Sequence, residues 1–158
     1  MTVVTEYLET KAIAFEVLPH GMAFTAEDEA RSLGVDPHVI AKTLLVDTRW
    51  GRALAVIPGD RRVDMDLLRD AVGDHAAHLA GETEILGNFP EHDLGALPPL
   101  GAMLDLPTYV DGDLLRHEFV VFAAGSQRLA VRARTQDLFE QEHVTVTRLT
   151  IDPSDPYV

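Results

Sequence analysis

The chain has 158 residues, 46% hydrophobic and 25% charged, which is typical of one globular domain. Its formal net charge of −13, from 26 acidic and 13 basic residues, argues against nonspecific binding to nucleic acid or to an anionic membrane. The absence of cysteine excludes disulfides, thiolate metal sites and a cysteine nucleophile. Neither a signal peptide nor a membrane span is recognisable, so we expect a cytoplasmic protein.

The first half of the chain predicts short helices between short strands. Apolar residues spaced four apart predict a helix over residues 3–12. Thr25 is a good N-cap for a second helix that ends at Gly34, and Asp64 is one for a third helix that runs to Val72. The predicted strands are residues 14–18, 43–47, 53–57 and 76–80, with a hairpin between the second and the third.

The second half is richer in strands and contains a long irregular stretch, residues 87–101. The elements predicted here are strands at 103–106, 108–110, 118–124 and 128–133 and a helix at 136–142 capped by Thr135. Together these patterns predict an α+β domain over residues 1–158, with a core at 5–140 and a loosely held tail at 150–158. Its sheet is expected to be mixed, mostly antiparallel and partly closed into a barrel, with short helices around it.

The irregular stretch ends in an unusual loop in which Gly95 and Gly101 bracket Pro98 and Pro99. The prolines fix the backbone and lack an N–H, and the glycines allow close approach of other groups. We therefore predict a stiff loop that is neither helix nor central strand. Such a loop serves either as a connector or as a preorganised wall of a binding site.

Lys42 stands where the chain enters an apolar strand. A lysine there is either a solvated strand end or a point charge for a phosphate, a carboxylate or a developing oxyanion. His20 and Met22 precede the Thr25 cap, and Asp60 ends the turn Pro58-Gly59-Asp60. Each of these also has an ordinary structural explanation in a turn, a core or a cap.

Nucleophile and metal motifs are weak. Ser126 follows Gly125, but its surroundings are not Gly-x-Ser-x-Gly, and no Ser/His/Asp triad is evident. His75 and His78 form a close histidine pair without a convincing further ligand. We therefore predict no metal and no cofactor.

Several motifs, taken in order, resemble the YbaK/prolyl-tRNA synthetase-associated domain, a family of aminoacyl-tRNA editing domains, over about residues 5–140. They are His20 with Thr25, Ile40-Ala41-Lys42-Thr43-Leu44, Val56-Ile57-Pro58-Gly59-Asp60, Gly95-Ala96-Leu97-Pro98-Pro99, Thr108-Tyr109-Val110-Asp111 and Ala123-Ala124-Gly125-Ser126. The chain departs from relatives that remove alanine, since Gln127-Arg128 stands where several of them carry a histidine.

The resemblance implies a trans-editing hydrolase that cleaves the ester at the 3′ end of mischarged aminoacyl-tRNA, either alone or with an aminoacyl-tRNA synthetase as partner. It implies Lys42 as the catalytic residue. The residues expected to bind substrate are His20, Met22, Thr25, Asp60, Gly95, Pro98, Pro99, Gly101, Asp111, Gly125 and Ser126. No membrane and no DNA are expected as partners.

Two alternatives follow from the same residues. The first is a binding module for aminoacyl-tRNA or an amino acid that does not turn it over, acting as a sensor or a synthetase partner; the acidic charge and the lack of an evident general base favour it. The second is a metal-dependent hydrolase that uses His75 and His78.

Overall fold

The computed structural model describes residues 2–81, 92–93 and 96–152. Its α-helices are α1 Val3–Thr10, α2 Ala26–Leu33, α3 Met65–Val72, α4 Gly101–Leu104 and α5 Thr135–Glu142, with 3-10 helices at Pro37–Val39 and Gly112–Arg116. Its strands are β1 Phe15–Pro19, β2 Ala41–Thr48, β3 Gly51–Pro58, β4 His78–Leu79, β5 Thr108–Asp111, β6 Phe119–Ser126, β7 Leu129–Arg134 and β8 Thr145–Thr147. Within these ranges no helix has the length and apolar character needed to cross a membrane.

The strands form two sheets. One has the order β1-β7-β6 and is antiparallel throughout. The other has the order β4-β2-β3-β5-β8, in which β5 and β8 are added in parallel to an antiparallel group. A parallel bridge between Ile40 and Val121 connects the two sheets beside the start of β2. The predicted α+β class with mostly antiparallel pairing is confirmed, and the described strands do not form a closed barrel.

The main core lies between the two sheets. Val56 and Val110 from the larger sheet belong to the same buried cluster as Phe122 and Val131 from the smaller one, together with Leu8 of α1. Burial of one such side chain stabilises the fold by about 1.5–3 kcal/mol. The two sheets are therefore held against each other by a shared core.

Strand β3 is buried on both faces. Ala55 and Ile57 pack with Leu68 and Val72 of α3, while Val56 between them belongs to the core between the sheets. This follows from the alternation of side chains along a strand that has helices on one side and a second sheet on the other. The nearly continuous apolar run of β3 is explained by this position in the centre of the sheet.

The observed ends of α2 and the observed start of α3 agree with the positions predicted from their capping residues. The Thr25 hydroxyl accepts a hydrogen bond from the Asp28 backbone N–H, and Gly34 ends α2 in the left-handed region at φ 70°. Asp64 caps α3 in the same way. The predicted Thr135 cap is wrong, since Arg134 is the N-cap and Thr135 is the first residue of α5.

The region after the proline pair differs most from the prediction. Residues 103–106 were predicted as a strand, yet Gly101 begins the helical turn α4. The turn forms because the Leu104 N–H donates to the Leu100 carbonyl and the Leu106 N–H donates to the Gly101 carbonyl, which returns the chain towards β5. Gly101 is required there, since a Cβ on it would overlap the Thr108 side chain. Strand β8, which no pattern predicted, pairs with β5.

Candidate active site

A pocket of about 340 Å³ lies where the two sheets join. It is formed by the start of α2, the start of β2, the end of β6, the segment Ala96–Leu97 and one residue beyond β3. The residues that line it are Ala23, Phe24, Thr25, Ala26, Glu27, Glu29, Ile40, Ala41, Lys42, Thr43, Leu44, Arg62, Ala96, Leu97, Ala123 and Ser126. Of the predicted site residues, Lys42, Thr25 and Ser126 are thus brought together.

Lys42 is half-buried in this pocket. Its ammonium donates a hydrogen bond of 2.9 Å to the Arg61 carbonyl, which orients it. Burial lowers the pKa of Lys42; Glu27 and Asp60 raise it and Arg62 lowers it, so that the pKa lies below its ordinary value. A partly desolvated cation interacts with an anion more strongly than one in bulk water. Lys42 is therefore suited to hold a phosphate or a developing oxyanion.

The Pro58-Gly59-Asp60 turn positions Lys42 and the start of α2. A Cβ on Gly59 would lie 2.7 Å from the Pro37 carbonyl oxygen and 3.0 Å from Cβ of Ala26, so only glycine fits without a shift. The Gly59 N–H also donates to the Ile40 carbonyl, two residues before Lys42. The glycine is explained by close packing against two elements that line the pocket.

The chain before α2 is held by the turn that connects β6 and β7. The His20 N–H donates to the Arg128 carbonyl, and the Ala23 N–H donates to the Gln127 carbonyl. Phe24 and Thr25 follow directly and line the pocket. These hydrogen bonds place the start of α2 beside the end of β6.

Gly125 fixes the opposite wall. It adopts φ +81°, and a Cβ there would lie 2.7 Å from Nδ1 of His92. The Gly125 carbonyl accepts from the Asp93 N–H, and its own N–H donates to the Ala96 carbonyl. These contacts hold Ala96 against β6, where Ser126 also lines the pocket. Gly125 therefore contributes to the pocket through its hydrogen bonds to the backbone of Asp93 and Ala96.

Glu29 and His20 form a buried pair beside the pocket. Oε2 of Glu29 lies 3.3 Å from Nε2 of His20, and the side chains are 6% and 0% exposed. His20 Nδ1 lies within hydrogen-bond distance of the Gly21 carbonyl, which can only accept, so Nδ1 carries a proton. Burial raises the pKa of Glu29, and the interaction with His20 partly opposes this rise. A carboxyl group whose pKa is raised above its ordinary value thus lines the pocket.

Other predicted site residues lie outside the pocket lining. Met22 is 51% exposed, and Asp60 is exposed but close enough for its charge to act on Lys42. Pro98 and Pro99 are buried, so the loop presents Ala96 and Leu97 to the pocket instead. The prediction for Gly95 lies outside the described residues.

Gly101 and Asp111 have contacts within the fold. Gly101 is packed under Thr108, as described above. Both carboxylate oxygens of Asp111 accept hydrogen bonds from the chain, including those from the N–H groups of Leu149 and Thr150. The structure therefore does not bring these two residues to the pocket.

Sequence reasoning missed Glu27 and Glu29 as residues of the pocket. One signal for Glu29 was available: it stands three residues after Ala26, so the two share a face of α2. The histidine pair predicted as a metal alternative is exposed, and His78 lies 3.5 Å from Asp47. Over the described ranges no group of three or more potential ligands is arranged to hold a metal ion.

Comparison with known proteins adds independent information. The family model of the aminoacyl-tRNA editing domain matches residues 20–140, more than half of the chain. The chain is 27% identical over 108 residues to EbsC of Enterococcus faecalis, named as a Cys-tRNA(Pro)/Cys-tRNA(Cys) deacylase, covering 68% of this chain and 65% of that protein. It is 36% identical over 77 residues to a proline–tRNA ligase of Fervidobacterium nodosum, covering 49% of this chain and 13% of the ligase.

A solved structure described as a trans-editing enzyme for prolyl-tRNA synthetase superimposes with a TM-score of 0.83 at 27% identity, covering 94% of this chain and 95% of that one. The chain thus spans less than two thirds of the curated relatives and nearly all of this structural relative. The match covers the elements that build the pocket, from His20 before α2 to Ser126 at the end of β6. The chain belongs to the aminoacyl-tRNA editing domain family.

Proposed function

We propose that this protein is a trans-editing aminoacyl-tRNA deacylase whose pocket binds the aminoacyl 3′ end of a mischarged tRNA. The observation that carries the proposal is the half-buried ammonium of Lys42, anchored on the Arg61 carbonyl inside a pocket. The family supports the substrate class, and the names of the relatives support hydrolysis as the reaction. In this proposal the pocket where the two sheets join holds the ester.

The reaction needs few catalytic groups because an aminoacyl ester is already reactive. A water oxygen bonds to the ester carbonyl carbon, and the negative charge that develops on the carbonyl oxygen is stabilised by the ammonium of Lys42. The bond to the ribose oxygen then breaks, and that oxygen takes up the one proton that the attacking water releases, which gives the free amino acid and the free 3′ end. Fixed positions for the ester and the water supply much of the remaining acceleration.

The pocket size favours small amino acids. At about 340 Å³ it lies near the lower limit of ordinary ligand pockets. Leu44, Leu97 and Ala123 give it apolar walls. Such a pocket separates neighbouring side chains by only about 1–3 kcal/mol per methylene. We therefore propose a substrate from the alanyl, seryl, threonyl and cysteinyl group.

Binding of tRNA by an acidic protein requires a local arrangement of charge. Arg62 and Lys42 both line the pocket, so the phosphates of the acceptor end meet cations there despite the net charge of −13. A synthetase that already holds the tRNA is the proposed partner, in keeping with the similarity to proline–tRNA ligases. The reaction would take place in the cytoplasm, where the protein would need neither DNA nor a membrane.

The test is hydrolysis of tRNAs charged with alanine, serine, threonine or cysteine. We expect wild type to deacylate at least one, and Lys42→Ala to lower the rate by about 10²–10³-fold, as for loss of one oxyanion donor. Lys11→Ala is the matched control, since Lys11 is exposed at the end of α1, where its ammonium lies over the Tyr7 ring. Thermal melting checks that both variants are folded.

The outcomes separate the proposed functions. No hydrolysis of any of the four substrates by wild type refutes the deacylase for this group. Saturable binding of a charged tRNA without hydrolysis indicates the binding module instead. Equal rates for wild type and Lys42→Ala remove Lys42 from the mechanism while leaving the activity in place.

A further inference from the structure

We infer that Glu29 is the general base that activates water in this pocket and that His20 is the residue that positions it. The inference rests on the proposed deacylase function, which by itself names no group that takes the proton from water. It is carried by the placement of the Glu29–His20 pair. One member lines the pocket, and the other lies behind it with its side chain fully buried.

The pocket contains two carboxylates in different surroundings. Glu27 is exposed near the mouth and interacts with Lys42, whereas Glu29 is 5% exposed and interacts with His20. Burial and a histidine partner therefore distinguish Glu29 from Glu27. The raised pKa of Glu29, caused first by burial, makes it the better proton acceptor near neutral pH. Glu27 is left to balance the charge of Lys42.

His20 is suited to hold Glu29 in place. Its Nδ1–H faces the Gly21 carbonyl, so the ring presents Nε2 to the carboxylate at 3.3 Å. The main chain that carries the ring is held in place, since the His20 N–H donates to the Arg128 carbonyl and the Gly21 N–H donates to the Ser32 hydroxyl. The interaction with His20 opposes the rise of the Glu29 pKa and so favours the carboxylate, which is the form that can accept a proton.

The proposed step balances without a co-reactant. Glu29 takes one proton from water as the water oxygen bonds to the ester carbonyl carbon, and Lys42 stabilises the carbonyl oxygen. The carbon–oxygen bond to the ribose then breaks, and the proton passes from Glu29 to the ribose oxygen. The products are the free amino acid and the tRNA 3′ end, and Glu29 is again a carboxylate.

The test is the pH dependence of single-turnover deacylation between about pH 5 and pH 9, with the mischarged tRNA that wild type cleaves best. We expect the wild-type rate to fall on the acidic side as Glu29 becomes protonated. Glu29→Gln should lose about 10²–10⁴-fold in rate and lose this acidic limb. Asp28→Asn is the matched control on the same helix, since Asp28 lies outside the pocket lining and contacts Arg31.

The variant His20→Gln gives a second test through the pH dependence of the deacylation rate. A purely structural role of His20 would leave the position of the acidic limb unchanged. His20 lowers the pKa of Glu29, so its removal should shift the acidic limb to higher pH. The groups that share the pocket with Glu29 are Glu27, Lys42 and Arg62, and they are unchanged in this variant. An unshifted limb refutes the positioning role.

A binding measurement distinguishes two possible roles of Glu29, as a general base or as the residue that recognises the substrate ammonium. A non-hydrolysable amide-linked aminoacyl-tRNA should bind Glu29→Gln within about threefold of wild type, because the loss is in the transition state. Lost binding, or a wild-type rate and pH profile in Glu29→Gln, overturns the inference. Wild-type inactivity on every substrate overturns the proposed function and this role together. Should Glu29→Gln fail to fold, Glu29→Asp keeps a carboxyl group but moves it away from the water, so the rate should fall while an acidic limb remains; a wild-type rate in Glu29→Asp overturns the inference.

Discussion

Asp111 is the residue for which the family resemblance and the structure predict different effects of mutation. The resemblance places it among the substrate-binding residues, whereas the structure buries it to 2% exposure at the end of β5. Its Oδ2 accepts hydrogen bonds from the N–H groups of Leu149 and Thr150 and from the Thr150 hydroxyl, at 2.8–3.0 Å. Its Oδ1 accepts from the Asp113 N–H at 2.9 Å. Asp111 thus fastens the chain after β8 to the 3-10 helix that follows β5.

Asp111→Asn tests this role with almost no change of shape. The amide has one oxygen, so its NH₂ group must face a backbone N–H that it cannot satisfy, and the charge assistance to the other bonds is lost. An unsatisfied buried donor costs about 1–3 kcal/mol and loss of charge assistance adds to it, so we expect a loss of about 2–4 kcal/mol. At this chain length that lowers Tm by roughly 4–16 °C.

The assay is thermal melting followed by deacylation well below the Tm of the variant. We expect kcat/KM per folded molecule to stay within about twofold of wild type, because Asp111 does not line the pocket. Asp105→Asn is the control, since Asp105 is exposed and its left-handed backbone suits asparagine. An unchanged Tm together with a large loss of activity refutes the structural role and returns Asp111 to the substrate site.

Two further predictions concern packing and pH. Gly59→Ala should cost about 1–3 kcal/mol in a urea titration, because its Cβ would be forced against the Pro37 carbonyl; an unchanged midpoint contradicts this packing. Burial and nearby His38 lower the pKa of His117, so the unfolded chain binds this proton more readily and stability falls as pH drops below about 6.5. His117→Gln should therefore lessen the loss of the urea midpoint between about pH 7.5 and pH 5.5, and equal losses in both proteins contradict it.

Features decided within a few residues could be predicted from the sequence. The caps at Thr25 and Asp64 were evident because each side chain bonds a backbone N–H three residues away. The hairpin of β2 and β3 was evident because two apolar runs flank a short polar turn. Lys42, which lines the pocket, could be singled out because its motif resembles that of the editing family, whereas its place at the start of a strand left a solvated lysine open.

Features that depend on contacts between distant parts of the chain could not be predicted from the sequence. Strand β8 forms because the parallel edge of β5 is open to it, 36 residues further along the chain, from Tyr109 to Thr145. The bonds from Asp111 to Leu149 span 38 residues, and nothing in the local sequence separates that role from substrate binding. Glu29 and His20 meet only because the β6–β7 turn holds the chain before α2.

The distribution of charge explains how an acidic domain can act on tRNA under the proposed function. The pocket lining has two cations, Lys42 and Arg62, and two carboxylates, Glu27 and Glu29. The phosphates of the proposed ligand would meet the two cations there. Beyond about 8 Å at physiological salt, screening removes most of the repulsion between the acidic surface and the rest of the tRNA. Recognition would then be confined to the 3′ end, and affinity for the tRNA body would have to come from a partner that already holds it.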